Sequence, residues 1–202
     1  MNFLAHAYLS FGEPKVLIGN FIADFVRGDL TKTYDAEVIT GVKLHRAIDA
    51  YTDSHPEVKA VQELLKPTYA RYSSVISDMF FDHFLAVSWD QYHDTPIKEF
   101  SQEVYRIMTQ FTIDHPFPLP EKFNIAFDLM VKNDWLMSYT TIEGMKQAMK
   151  GMANRTTFES KMETSHIFLQ EHYEEIKAPF HRFFPQLVEF SKQHLEELKE
   201  KV

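Results

Sequence analysis

The 202-residue sequence predicts an all-α protein, a single-domain helical bundle. Apolar residues recur at three- and four-residue spacing along most of the chain, and alternating runs long enough for strands are hard to find. Six glycines are too few for a loop-rich β fold. With 45% hydrophobic and 25% charged residues the composition is that of an ordinary globular protein, and the length suits one domain with a sizeable core.

Each predicted element has its own warrant. Residues 14–27 open on Pro14, which a first helical turn tolerates, and carry the apolar run VLIGNFIADFV. Residues 35–53 carry an apolar stripe of Leu44, Ile48 and Tyr51. A helix over 56–66 opens on Pro56 with Ser54 as a candidate cap. The next, over 68–92, contains DMFFDHFLAVSW, which is apolar on nearly every side and so belongs at the centre of the bundle. Residues 96–113 open on Pro96 behind Thr95, a second candidate cap. HPFPLP, residues 115–120, breaks the pattern and reads as a connection within one bundle, because apolar helices continue on both sides. Helical spacing resumes over 121–134, 141–153 and 157–178. The last helix, 185–200, opens on Pro185 and reads as a packing helix with a charged outer face.

Composition also excludes functions. Cysteine is absent, which removes disulfides, thiolate metal sites and cysteine nucleophiles. No stretch approaches the roughly 20 apolar residues of a spanning helix, and MNFLAHAYLSF lacks the basic start and cleavage site of a signal peptide. A cytoplasmic protein without a membrane partner is expected. A formal net charge of -8, with no cluster of Lys and Arg, argues against a nucleic-acid partner. There is no GxxxxGK[ST], no GxGxxG after a strand and no GxSxG elbow. The pair His93-Asp94 lies just before Pro96, where a helix should end, and reads as coincidental. His115, His166, His172, His181 and His194 read as surface or packing residues.

Polar residues inside apolar helix are the main functional signal. Asn20 and Asp24 are spaced i,i+4, as are Asp78 and Asp82, and as are Asn2 and His6 if MNFLAHAYL is helical. In GVKLHRAIDAYTDSHP a polar stripe of His45, Asp49 and Thr52 or Asp53 runs beside the apolar one. Buried carboxylates need a compensating charge, and a divalent cation between facing helices supplies it. Asp82 and His83, with Asp78 beside them, are therefore expected to hold a metal or work next to one. Carboxylate and imidazole without thiolate suit Mn²⁺, Mg²⁺ or Fe²⁺, and phosphate ester hydrolysis is the reaction class this implies.

The blocks MNFLAH, GNFIADFVRG, GVKLHRAIDAYTDSHP and DMFFDHFLAVSWDQY, followed by NDWLMSY and EGMKQAMKGMANR, resemble the acyl carrier protein phosphodiesterases, also called ACP hydrolyases. They cover about the first three quarters of the chain. The resemblance implies a Mn²⁺-dependent enzyme that hydrolyses the phosphodiester between 4'-phosphopantetheine and a serine of acyl carrier protein. It also implies an HD-domain-like bundle, although the adjacent pair here is reversed, Asp82-His83. Carried over by block, the catalytic candidates are Asp24, His45, Asp49 and Asp53, and the metal candidates Asp24, His45, Asp82 and His83. His6, His55 and Asp78 stand behind them, and Arg27 and Arg46 are candidates for binding phosphate oxygens. The implied partner is acidic, so docking would draw on a local supply of Lys15, Arg27, Lys43, Arg46 and Arg71. The competing readings are an HD-type phosphohydrolase acting on a nucleotide or other small phosphate ester, and a non-catalytic helical binding protein with buried polar networks.

Overall fold

In the computed structural model, which describes residues 1–115 and 119–201, every regular element is helical. In chain order these are α1 (Phe3–Tyr8), α2 (Pro14–Ile22), α3 (Ala36–Ser54), α4 (Pro56–Tyr69), α5 (Ser73–Val87), α6 (Ile97–Asp114), α7 (Glu121–Lys132), α8 (Trp135–Ser138), α9 (Ile142–Ala153), α10 (Ser165–Glu171) and α11 (Tyr173–Lys199). Short 3-10 turns lie at Ala23–Phe25, Ala70–Tyr72, Trp89–Gln91 and Met162–Thr164. Among the described residues no helix is long and apolar enough to cross a membrane. Residues 116–118 of the expected connection lie outside the described residues.

Helix α5 is the centre, as its all-round apolar surface requires. Phe80, Phe81 and Phe84 are fully buried, each worth about 1.5–3 kcal/mol of burial. The helix packs against α1, α4, α9 and α11. Phe81 meets Phe180 and Phe183 of α11 at ring-centroid distances of 5.6 and 5.5 Å.

The contact that positions the candidate site is the packing of α2 on α3. A Cβ added to Gly19 would lie 2.0 Å from the Val38 carbonyl oxygen, and one on Gly41 would lie 2.2 Å from that of Val16. Only glycine permits so close an approach of two backbones. The approach brings the end of α2, with Asn20 and then Asp24, against the turn of α3 that carries His45 and Asp49. Helix α3 is started by Asp35, whose Oδ1 accepts the Val38 N–H at 3.1 Å.

Several boundaries differ from the sequence expectation, each for a local reason. The helix expected over 14–27 ends at Ile22 and continues as a 3-10 turn that carries Asp24. The expected helix over 68–92 is split, because α4 runs through Pro67 to Tyr69 and the chain then turns at Ala70 with φ 47°. Asp134 and Lys161 also adopt positive φ, which ends α7 early and delays α10. No glycine marks these three turns, so the sequence carries no signal for them. Conversely, Pro179 and Pro185 lie inside α11 without ending it. The lost backbone hydrogen bonds are offset by burial of Ile176, Phe180, Phe183, Phe184 and Leu187. Ser54 stays in the last turn of α3, donating to the Tyr51 carbonyl, and His55 caps α4 in its place.

Candidate active site

A cavity of about 280 Å³ opens where α1, α2, α3 and α5 meet. Its walls include His6, Asn20, Asp24, His45, Asp49, Asp53 and Asp78. The two imidazoles lie stacked, with centroids 4.0 Å apart and planes 18° from parallel. Asp49 joins them: Oδ1 is 3.2 Å from His6 Nε2, and Oδ2 is 3.1 Å from His45 Nε2. Asp24 Oδ1 approaches the same His45 Nε2 at 3.3 Å. His6, His45 and Asp49 each place one ligand atom within 4.8 Å of the others.

Asn20 fixes which ring nitrogens face this point. Its Nδ2 donates to the His6 carbonyl oxygen at 3.1 Å and to Ser10 Oγ at 3.0 Å. A carbonyl can only accept, so the amide is oriented with Oδ1 toward His6 Nδ1, 3.0 Å away. His6 Nδ1 must then carry the proton. His45 Nδ1 likewise donates to the Asn20 carbonyl oxygen at 2.8 Å. In the neutral imidazoles both Nε2 lone pairs therefore point at the carboxylates, the arrangement by which an outer partner prepares histidine for a cation.

The electrostatics agree. Burial, reinforced by the neighbouring His45, lowers the His6 pKa to about 4, against the pull of Asp49. Burial also opposes charge on His45, but Asp24 and Asp49 outweigh it and raise that ring to about 9. Asp24 is held below the usual carboxylate range by its hydrogen bond to His45. Asp49 is lowered because its two imidazole partners overcome the cost of its burial. Beside the imidazole pair the pocket thus sets the carboxylates of Asp24 and Asp49 against a single positive charge, on His45, at neutral pH. That surplus of negative charge and of nitrogen and oxygen donors fits a divalent cation.

The structure brings together Asp24, His45, Asp49 and Asp53 of the leading sequence candidates with His6 and Asp78, which stood behind them. Asp78 Oδ1 is ion-paired to the Met1 amine at 2.9 Å. Asp82 and His83, expected as ligands, do not line this cavity. Asp82 is fully buried, and its two oxygens accept the backbone N–H groups of Asn2 at 3.0 Å and Leu4 at 2.8 Å. Burial raises its pKa to about 7. Its polar atoms are thus spent holding the start of α1, the helix that carries His6. His83 lies about 100° round the helix from Asp82. Its Nδ1 donates to the Tyr139 carbonyl oxygen at 2.7 Å, and Nε2 is 3.2 Å from the Tyr173 hydroxyl. His55 packs on Phe183 and accepts the Glu57 N–H as a helix cap. Arg27 and Arg46 are exposed and outside the cavity wall. Asn20 was legible only as a polar residue in an apolar run, one turn before Asp24.

Residues 1–187 match the acyl carrier protein phosphodiesterase family. A protein of that name from Photorhabdus laumondii is 33% identical over 189 residues, which is 94% of each chain. One from Klebsiella pneumoniae is 35% identical over 189 residues, 93% of this chain and 96% of its own. One from Escherichia coli O6:H1 is 30% identical over 190 residues, 94% and 96% of the two chains. No solved structure matches the chain. The chain belongs to the acyl carrier protein phosphodiesterase family.

Proposed function

We propose that this protein hydrolyses the phosphodiester between 4'-phosphopantetheine and the serine of holo acyl carrier protein, releasing apo carrier protein and 4'-phosphopantetheine, with Mn²⁺ as cofactor. The observation that carries the reading is the convergence of His6 Nε2 and His45 Nε2 on Asp49, beside Asp24, in one cavity. Two imidazoles in the donor set favour Mn²⁺ or Fe²⁺ over the all-oxygen surroundings that suit Mg²⁺. His6, His45, Asp49 and Asp24 would hold the cation. Such an ion supplies positive charge for the phosphoryl oxygens and lowers the pKa of water.

The chain's own residues do the rest. Asn20 holds both rings in the tautomer that offers Nε2. Asp24 and Asp49, kept ionised by their imidazole partners, stay negative at neutral pH. Asp53, exposed on the cavity wall one turn beyond Asp49, is a carboxylate available to take a proton from the attacking water. The water oxygen bonds to phosphorus, the bond from phosphorus to the serine oxygen breaks, and a proton from the water ends on that serine.

Lys43 and Arg46 are exposed on α3, the helix that carries His45 and Asp49, and Arg27 follows the turn that carries Asp24. These cations suit docking of an acidic carrier protein better than contact with the scissile phosphate. Absence of cysteine fits a cytoplasmic location. The test is turnover of holo acyl carrier protein with saturating Mn²⁺ by wild type, His6→Ala, Asp49→Asn and the surface control Glu197→Ala. Loss of about a hundredfold or more in the first two variants is expected, with the control unchanged. Wild-type turnover in both folded site variants would refute the assignment.

A further inference from the structure

A second and larger cavity, of about 590 Å³, adjoins the first and shares Asn2, Phe3 and Met152 with it. We propose that this trough binds the pantetheine arm of the carrier protein, so that the arm lies between α5, α8 and α9 while its phosphate reaches the histidine pair. The inference rests on the function proposed above and names where that substrate lies.

Continuity is the first argument. Phe3 stands at the junction, its ring 5.3 Å from Phe21 on the α2 side and 6.4 Å from Trp135 on the trough side. A ligand that leaves the first cavity past Phe3 enters the second directly. Size is the second argument, since sites for small organic ligands run from about 300 to 1,000 Å³.

Chemistry is the third. The arm carries apolar dimethyl and methylene segments separated by two amides, and ends in a thiol. The trough matches that alternation: Met79, Trp135 and Met152 give it apolar walls, and Asn133 and Gln147 add side-chain amides. The nitrogen of each amide already donates, Asn133 Nδ2 to the Leu129 carbonyl at 2.8 Å and Gln147 Nε2 to the Glu143 carboxylate at 2.7 Å. Their amide oxygens are acceptors for N–H groups such as those of the arm. The Arg155 guanidinium lies 5.5 Å from the Trp135 ring centroid and steadies the indole as a wall.

Gly151 makes the proposal testable. It lines the trough on α9, and a Cβ built there meets nothing within 4 Å. Gly151→Phe therefore projects a ring from the trough wall with nothing opposing its Cβ, and the surface control Glu197→Ala leaves the trough untouched. The experiment measures kcat/KM on holo acyl carrier protein for wild type and both variants, together with tryptophan emission titrated with pantetheine. Gly151→Phe is expected to lose about tenfold or more in kcat/KM while keeping its helical circular dichroism, and the surface control Glu197→Ala to stay within about threefold. Pantetheine should change the emission of the wild type saturably and have no such effect in Trp135→Phe or Gly151→Phe. The proposal is overturned if folded Gly151→Phe cleaves holo carrier protein like wild type, or if pantetheine leaves wild-type emission unchanged. It is also overturned if octanoate produces the change and pantetheine does not, which would give the trough to an acyl chain. Should Gly151→Phe not fold, the wild-type titration decides alone. A wild type that binds pantetheine but leaves holo carrier protein intact would overturn the proposed function and not the trough.

Discussion

Gly41→Ala tests how the active-site geometry is built. The added Cβ would lie 2.2 Å from the Val16 carbonyl oxygen and 2.9 Å from the Gly19 Cα, where an ordinary contact begins at 3.4 Å. Both are backbone atoms and cannot swing aside, so α2 and α3 must part by about 1 Å, at a cost of about 1–3 kcal/mol by analogy with overpacked cores. At this chain length each kcal/mol shifts Tm by about 2–4 °C, so a fall of about 2–12 °C is expected. The same displacement separates Asn20 and Asp24 from His45. A misplacement of about 1 Å can cost a hundredfold in rate. Thermal melting followed by circular dichroism and turnover of holo carrier protein with saturating Mn²⁺ measure the two effects. Gly151→Ala is the control: it adds the same methyl to a helix where nothing opposes it, and should be neutral or stabilising by up to about 1 kcal/mol. Gly41→Ala with wild-type Tm and turnover would refute the claim that this helix contact sets the site.

Three further outcomes follow from the same geometry. Asp82→Ala strands the backbone N–H groups of Asn2 and Leu4; melting should reveal a loss of about 1–3 kcal/mol, while calorimetry still finds Mn²⁺ bound at wild-type stoichiometry, which Asp49→Asn abolishes. Binding of the proposed Mn²⁺ would displace the proton that Asp24 and Asp49 hold on His45 up to about pH 9, so affinity measured by calorimetry should rise about tenfold per unit between about pH 7 and 8, and a flat profile would contradict this. Lys43→Glu with Arg46→Glu should raise KM for holo carrier protein several-fold, leave kcat near wild type, and reduce the salt dependence of kcat/KM; an unchanged KM would remove these residues from the docking face.

The sequence showed the fold class plainly because helical periodicity and the all-round apolar α5 are local properties. It also showed His45 and Asp49, one turn apart on a single helix face, and Asp24 in its apolar run. The partners of Asp82 and His83 could not be read in the same way. Buried polar residues need some satisfying group, but pattern alone does not say whether that group is a cation or a backbone amide. Here Asp82 is satisfied by two amides of α1 and His83 by Tyr139 and Tyr173. His6 was legible as a candidate of the second rank, spaced i,i+4 from Asn2. Its pairing with His45 depends on how α1 lies against α2 and α3, which no local pattern encodes. Gly19 and Gly41 were present as ordinary helix-interior glycines; their role appears only when two backbones are placed together.

The central claim is that the His6, His45, Asp49 and Asp24 cavity performs phosphodiester hydrolysis on holo acyl carrier protein. It is tested most directly by mass spectrometry of holo carrier protein incubated with the Mn²⁺-loaded protein in ¹⁸O-labelled water. Wild type should convert the carrier to its apo form, with the label on the released 4'-phosphopantetheine and none on the serine, while His6→Ala and Asp49→Asn leave the carrier intact. Intact holo carrier protein after treatment with folded, metal-loaded wild type that hydrolyses a nucleotide would contradict the account, as would label on the carrier's serine.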